Sequence, residues 1–268
     1  MQHTRLPAVA GSFYPESADE LRTDVQSFLE SANFDQSARS APKVLIAPHA
    51  GFVYSGSVAA SAYARVTSLA GSIERVVLLG PAHRVNVPGL ALPASTRFNT
   101  PLGTIDIDQD ALGAVTALPQ VVVSEQAHAQ EHSLEVHLPF LQQALGAFKL
   151  VPFVVGRATP EQVAEVLNIL WGGTETLIVI STDLSHYLPY ERARAADEIT
   201  AQSILNLDPQ LGHDQACGAT PVNGFLFAAR ARGLASQLLD IRNSGDTAGS
   251  KSRVVGYASF AFHEHEQN

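Results

Sequence analysis

The chain has 268 residues, 46% of them hydrophobic and 16% charged, with a formal net charge of −9. This is the composition of a globular chain able to bury its own core, which excludes an intrinsically disordered protein. The acidic balance and the absence of a basic block argue against a nucleic-acid partner. No apolar run approaches the roughly 20 residues of a membrane helix, so no membrane partner is expected.

A single cysteine, Cys217, rules out an intramolecular disulfide. The opening MQHTRLPAVAGSFYPES has no basic stretch followed by an apolar run. Both features point to a cytoplasmic protein.

The pattern predicts an N-terminal helix, a short linker-like stretch from Ser31 to Pro42, and then apolar runs alternating with helices. Lys43–Ala47 and Arg75–Gly80 read as buried strands, with a small-residue helix over Val58–Val66 between them. Shorter strands are predicted at Leu90–Ser95, Gly103–Ile107 and Val121–Ser124, and a helix over Glu131–Leu145. Leu150–Gly156 and Thr176–Thr182 are again continuous apolar runs. Helices over Glu191–Leu207 and Gly224–Gly233 precede two closing strands, Leu238–Arg242 and Arg253–Phe262. Continuous apolar strands joined by helices predict one α/β domain spanning residues 1–268. Its mainly parallel, mixed sheet is covered on both faces, and the last two strands can pair antiparallel.

In such sheets ligands bind beyond the carboxyl ends of the strands. His49 follows the first strand and His83 the second. Asp183 and His186 follow TLIVIST, and Asn243-Ser244-Gly245-Asp246-Thr247 follows LLDIR. A lone histidine after a strand is usually a hydrogen-bonded loop residue, but four strand ends delivering such groups together indicate a pocket.

Two imidazoles and one carboxylate on one face of a metal leave positions open for substrate and O₂. His49, His83 and Asp246 are the expected metal ligands, for Fe(II) in the first place and for Zn(II) or Cu(II) as alternatives. Zn(II) with a bound water would serve a hydrolase instead. His132 or His186 is the expected general acid or base, with Asp183 orienting a histidine.

Tyr54 and Ser55, after the His49 loop, are candidate substrate contacts, with a core or helix-cap role as the competing reading for both. His137 is a third, with a core pairing to Glu135 as its competing role. His132 and His137 are five residues apart and do not share a helix face, so the helix should begin between them. Ser12, Phe13 and Tyr14 form a candidate lid. Tyr187 and Tyr257 read as packing aromatics, and Cys217 as a buried, inert thiol with a role in the pocket as the alternative. His3, His213, His263 and His265 read as surface residues.

The motifs AGSFYP, APHAGFVYSG, LLGPAHR, FNTPLG, EHSLEVHLPF, VPFVVG, STDLSHY and VVGYASF occur in this order from about Ala10 to Phe262. In that order they resemble the Memo family, whose bacterial and archaeal members are often called AmmeMemoRadiSam system protein B. The resemblance implies the fold of class III extradiol dioxygenases, an α/β/α sandwich with a metal-type pocket at the strand ends. It matches His49 and His83 to metal-ligand histidines, His186 to a pocket histidine and Asp183 to its neighbour.

The third ligand of the eukaryotic member is a cysteine placed before the last strand. The segment 243–249 has none, and Thr247 stands opposite it, with Asp246 beside it to restore a carboxylate. The resemblance also implies a functional link to radical-SAM and AMMECR-type proteins, with a small molecule or peptide as substrate. Phosphopeptide binding without turnover, described for the eukaryotic relatives, is the alternative.

Overall fold

The computed structural model describes residues 3–32 and 41–264. Most of the expected linker and the expected surface histidine His265 lie outside the described residues.

In chain order the elements begin with β1 (Thr4–Arg5), α1 (Ala18–Ser31), β2 (Val44–Ala47) and α2 (Phe52–Tyr63). There follow β3 (Arg75–Pro81), β4 (Leu90–Leu92), β5 (Arg97–Thr100), β6 (Gly103–Asp106), α3 (Gln109–Val115), β7 (Val121–Val123), α4 (Glu125–Ala129) and α5 (Leu138–Leu145). The last third supplies β8 (Lys149–Val155), α6 (Pro160–Leu170), β9 (Thr176–Ser181), β10 (His186–Leu188), α7 (Tyr190–Leu205), α8 (Ala219–Arg232), β11 (Ala235–Asn243), α9 (Ser244–Thr247) and β12 (Val254–His263).

Among the described residues the main sheet runs β10-β12-β2-β9-β3-β8-β4-β7, with β11 paired to the other side of β12. Its centre, β2-β9-β3-β8, is parallel, whereas β12 is antiparallel to β2 and β4 is antiparallel to β8. A three-stranded sheet, β1-β5-β6, stands beside it.

The central strands are apolar throughout because both faces are covered. α1, α2 and α5 pack together on one side, and α6 and α8 pack together on the other. Every residue of β2 and β9 is buried, and each large aliphatic side chain there contributes roughly 1.5–3 kcal/mol. The expected α/β/α sandwich with a mixed, mainly parallel sheet is therefore the fold observed.

Two helices begin earlier than their apolar patterns. α2 starts at Phe52, and α8 starts at Ala219 with Pro221 in its first turn. Proline is tolerated there because the first-turn N–H groups have no intrahelical acceptor. α8 ends at Gly233, whose φ of +65° is the left-handed cap that glycine adopts without strain.

The predicted helix over Glu131–Leu145 is instead a turn, a single 3₁₀ turn at Glu135–His137, and then α5. Pro139 accounts for the late start of α5, since it fits the first turn of a helix and not its interior. α3, α4 and α6 were not expected. α6 is set by a capping box between Thr159 and Gln162, with Pro160 at its first position. His263, expected at the surface, is buried in β12.

Candidate metal centre

The parallel strands β2, β3 and β9 end side by side, so the residues after them converge. His49 follows β2 and is buried, and His83 follows β3 and is exposed. The turn between α4 and α5 brings His132 against both. Ring centroids lie 5.1 Å apart for His49 and His83, 5.5 Å for His49 and His132, and 4.7 Å for the stacked pair His83 and His132. One ligand atom from each of the three lies within 4.8 Å of the others, a group that can hold a metal ion.

Hydrogen bonds on the far side of the rings decide which nitrogens carry protons. Ser181, the last residue of β9, donates its hydroxyl proton to Ser133 O at 2.6 Å. Its oxygen must therefore accept from His49 Nδ1 at 2.6 Å and from His137 Nε2 at 2.8 Å. His49 Nε2 is left with a lone pair.

Glu131 does the same for His83. Its Oε1 accepts from His83 Nδ1 at 2.9 Å, and its Oε2 from the His83 backbone N–H at 2.7 Å. Oε1 also accepts the backbone N–H groups of His132 and Ser133 and lies 3.4 Å from His132 Nδ1. One buried carboxylate thus orients two of the three histidines. Partners of this kind fix the tautomer and orientation of a metal-ligating imidazole.

Burial keeps two of these imidazoles, His49 and His132, neutral. It pushes His49 well below its usual value, helped by the neighbouring histidines. It brings His132 down to about 4, with Glu131 opposing. Burial raises Glu131, but its hydrogen bond and attraction to His83, with the backbone N–H groups, bring it down to about 2. The donor set is therefore three imidazoles, two of them held neutral by burial, backed by an ionised carboxylate, which suits a divalent transition metal.

Asp246, expected as the third ligand, lies elsewhere. β11 is separated from β2 by β12, two strand spacings or about 10 Å. Its Oδ2 caps α9 through the Asn243 N–H at 2.9 Å, and its Oδ1 accepts from Tyr190 Oη at 2.5 Å. His132 occupies the place in the cluster that Asp246 was expected to take. Thr247 gives its hydroxyl to Ser244 O at 3.3 Å.

A sulfur from another segment lies beside the cluster. Cys217, just before α8, has its Sγ 3.3 Å from His49 Nε2 and accepts the Asp183 N–H at 3.3 Å. Burial, then the nearby Asp183 carboxylate, pushes its thiol up to about 12. The half-buried residue thus touches the cluster, in line with the alternative of a pocket role.

Asp183 is buried and accepts the His49 backbone N–H at 2.8 Å, so it positions the His49 loop and not the ring. Burial raises its carboxyl to about 7, opposed by that hydrogen bond. His186, in β10, is half-buried and lies within electrostatic reach of His49 and His83. Tyr187 beside it has φ +59° and is 68% exposed, so it is not a packing aromatic. Tyr257 is buried as expected.

Tyr54, 40% exposed in the first turn of α2, stands at the rim. Ser55 is buried and donates to Ala50 O at 3.0 Å. His137 is buried with both nitrogens engaged, Nδ1 accepting from Tyr63 Oη at 2.7 Å. Ser55 and His137, expected substrate contacts, are thus internal supports.

His137 does not pair with Glu135. That carboxylate instead binds Arg5 at 2.7 Å, the N–H groups of Ala8 and Val9, and Tyr14 Oη at 2.7 Å. The network ties down the N-terminal segment, and Phe13 packs on His132 with centroids 4.8 Å apart. Of the expected lid residues, Phe13 therefore covers the third histidine, while Tyr14 is buried against Glu135.

Residues 5–261 match the family model described as Memo-like protein. A MEMO1 family protein of Sulfolobus acidocaldarius is 35% identical over 285 residues, covering 96% of this chain and 99% of its own. One from Aquifex aeolicus is 35% identical over 270 residues, covering 96% and 98%. One from Ignicoccus hospitalis is 36% identical over 282 residues, again covering 96% and 98%. Among solved structures, an uncharacterized protein of Escherichia coli K12 superposes with a TM-score of 0.47 at 13% identity, over 80% of this chain and 98% of that one. No helix among the described residues is long and apolar enough to cross a membrane.

Proposed function

Because the chain belongs to the Memo-like family, we propose that its histidine cluster is the centre of a metal-dependent, dioxygenase-like oxidoreductase. Convergence carries the reading: His49, His83 and His132 bring their ligand atoms within 4.8 Å of one another. The protons of His49 and His83 are committed to Ser181 and Glu131 on the outer side.

His49, His83 and His132 would hold the ion, with the Cys217 sulfur beside His49 as a soft neighbour. An Fe(II) ion there would supply a redox centre with open positions for dioxygen and a chelating substrate. Ser181 and Glu131 orient the ligands, and Asp183 fixes the loop that carries His49. Phe13 shields His132 from water. His186 is half-buried and held neutral, so it is the base that takes a proton from substrate, because His132 is committed to the metal. Tyr54 contacts the substrate at the rim. In this reading the substrate is a small molecule or a peptide side chain, and the protein works alongside radical-SAM and AMMECR-type proteins.

Elemental analysis of anaerobically purified protein, followed by dioxygen uptake on exposure to air, tests this. Near-stoichiometric iron with uptake supports it. Zinc with ester or amide hydrolysis would favour a hydrolase. A metal-free protein that binds phosphopeptides would overturn the reading.

A further inference from the structure

A cavity of about 230 Å³ lies at the carboxyl ends of β3 and β8. Val85, Val87 and Val155 give it apolar walls, and Arg157, His213 and Thr220 line it with polar groups. Cys217 belongs to the same lining while its Sγ lies 3.3 Å from His49 Nε2, so the cavity borders the histidine cluster.

Arg157 is held in place by its backbone. Its N–H donates to Val87 O at 2.9 Å and its carbonyl accepts from Gly89 N at 2.8 Å. Gly156 permits this approach, because a Cβ there would sit 2.1 Å from Val87 O. Among the described residues the guanidinium pairs with no acid. By contrast, Arg5, Arg75, Arg97 and Arg242 are each bound to a carboxylate. The His213 ring is steadied by Cys217 O and Thr220 Oγ1, both at 3.3 Å. In a chain of net charge −9, an unpaired guanidinium at a cavity of mixed polar and apolar lining beside a metal-competent cluster is a receptor for an anion.

We propose that this cavity takes the carboxylate of a small organic acid. Arg157 pairs with the carboxylate, the valine walls hold the hydrocarbon body, and the far end of the molecule faces Cys217 and the histidines. A planar guanidinium matches a carboxylate with two parallel hydrogen bonds. The volume is below the roughly 300–1,000 Å³ of drug-sized sites, which limits the body to one ring or a short chain. The assignment rests on the reading of the cluster as a reaction centre, and names its substrate class.

Fluorine NMR titration with para-fluorobenzoate tests it, with neutral para-fluorobenzamide as control, on protein as purified and after metal removal by a chelator. Saturable benzoate binding is expected, weakened about tenfold or more by Arg157→Gln and less by Arg157→Lys, with the amide binding at least about tenfold more weakly. Unchanged thermal melting of the variants excludes a folding defect. The proposal is overturned by absent saturation, by equal binding of acid and amide, or by full binding in Arg157→Gln. Tighter Arg157-dependent binding of inorganic phosphate than of benzoate would overturn the carboxylate assignment. Metal-free protein that keeps Arg157-dependent binding retains this site even if the metal reading fails; metal-loaded protein without such binding loses this site alone.

Discussion

Replacing Glu131 with glutamine keeps the size of the side chain and removes its charge. The carboxylate receives four hydrogen bonds, from His83 Nδ1 and from the backbone N–H groups of His83, His132 and Ser133. A glutamine oxygen in the Oε1 position can keep three of these. Its NH₂ would then face the His83 N–H, donor to donor, and leave that group unsatisfied at about 1–3 kcal/mol. The lost charge costs more: the gap between about 2 in the fold and the usual 4.5 corresponds to ~3 kcal/mol at neutral pH.

The carboxyl is held below its usual value, so this stability is present above pH 4.5 and is lost as pH falls toward 2. Urea unfolding of metal-free protein should show a loss of roughly 3 kcal/mol in Glu131→Gln at pH 7, shrinking below pH 4.5. Loss of a partner that orients a metal ligand should also weaken metal binding about 10–100-fold in chelator competition. A variant within about 0.5 kcal/mol of the parent, with unchanged metal affinity, would refute the role of Glu131.

Ser181→Ala removes the acceptor of two ring N–H groups and orphans Ser133 O. About 3 kcal/mol or more of stability and about 10–100-fold in metal affinity should go with it, whereas parental behaviour would show that the hydroxyl is dispensable. Burial holds His128 at about 4 and His137 at about 3. Stability should therefore be full above pH 6.5 and fall by up to ~3 kcal/mol per pH unit between pH 6 and 4; urea midpoints that stay flat from pH 7 to 5 would contradict this. The Cys217 thiol, at about 12 against 9 for a free thiol, should react with iodoacetamide at pH 7.5 about 10³-fold more slowly in folded, metal-free protein than in urea. Equal rates would refute its burial.

The sheet and two of the three clustered histidines were legible because both depend on local pattern. Continuous apolar runs mark parallel strands covered on both faces, and the parallel arrangement sends the residues after β2 and β3 to one end. His49 and His83 follow from that alone. His132 was expected in the pocket as an acid or base and not as a ligand, since its approach to His49 and His83 depends on the path of the turn before the helix. Cys217 reaches His49 across 168 positions, and nothing near it in the chain signals a partner. Ser181 hides as one small residue inside an apolar strand. Asp246 misled because β11 runs parallel to β2 and ends on the same side. Strand direction is readable, but the strand order that inserts β12 between β2 and β11 is a long-range property.

The central claim is that His49, His83 and His132 form the metal centre and that Asp246 does not. Titration of metal-free protein with Fe(II) under anaerobic conditions tests it most directly, comparing the parent with His49→Ala, His83→Ala, His132→Ala and Asp246→Ala. Each histidine variant should lose about 100-fold or more in affinity, and Asp246→Ala should bind like the parent. Parental binding by His132→Ala, with binding lost in Asp246→Ala, would contradict the account.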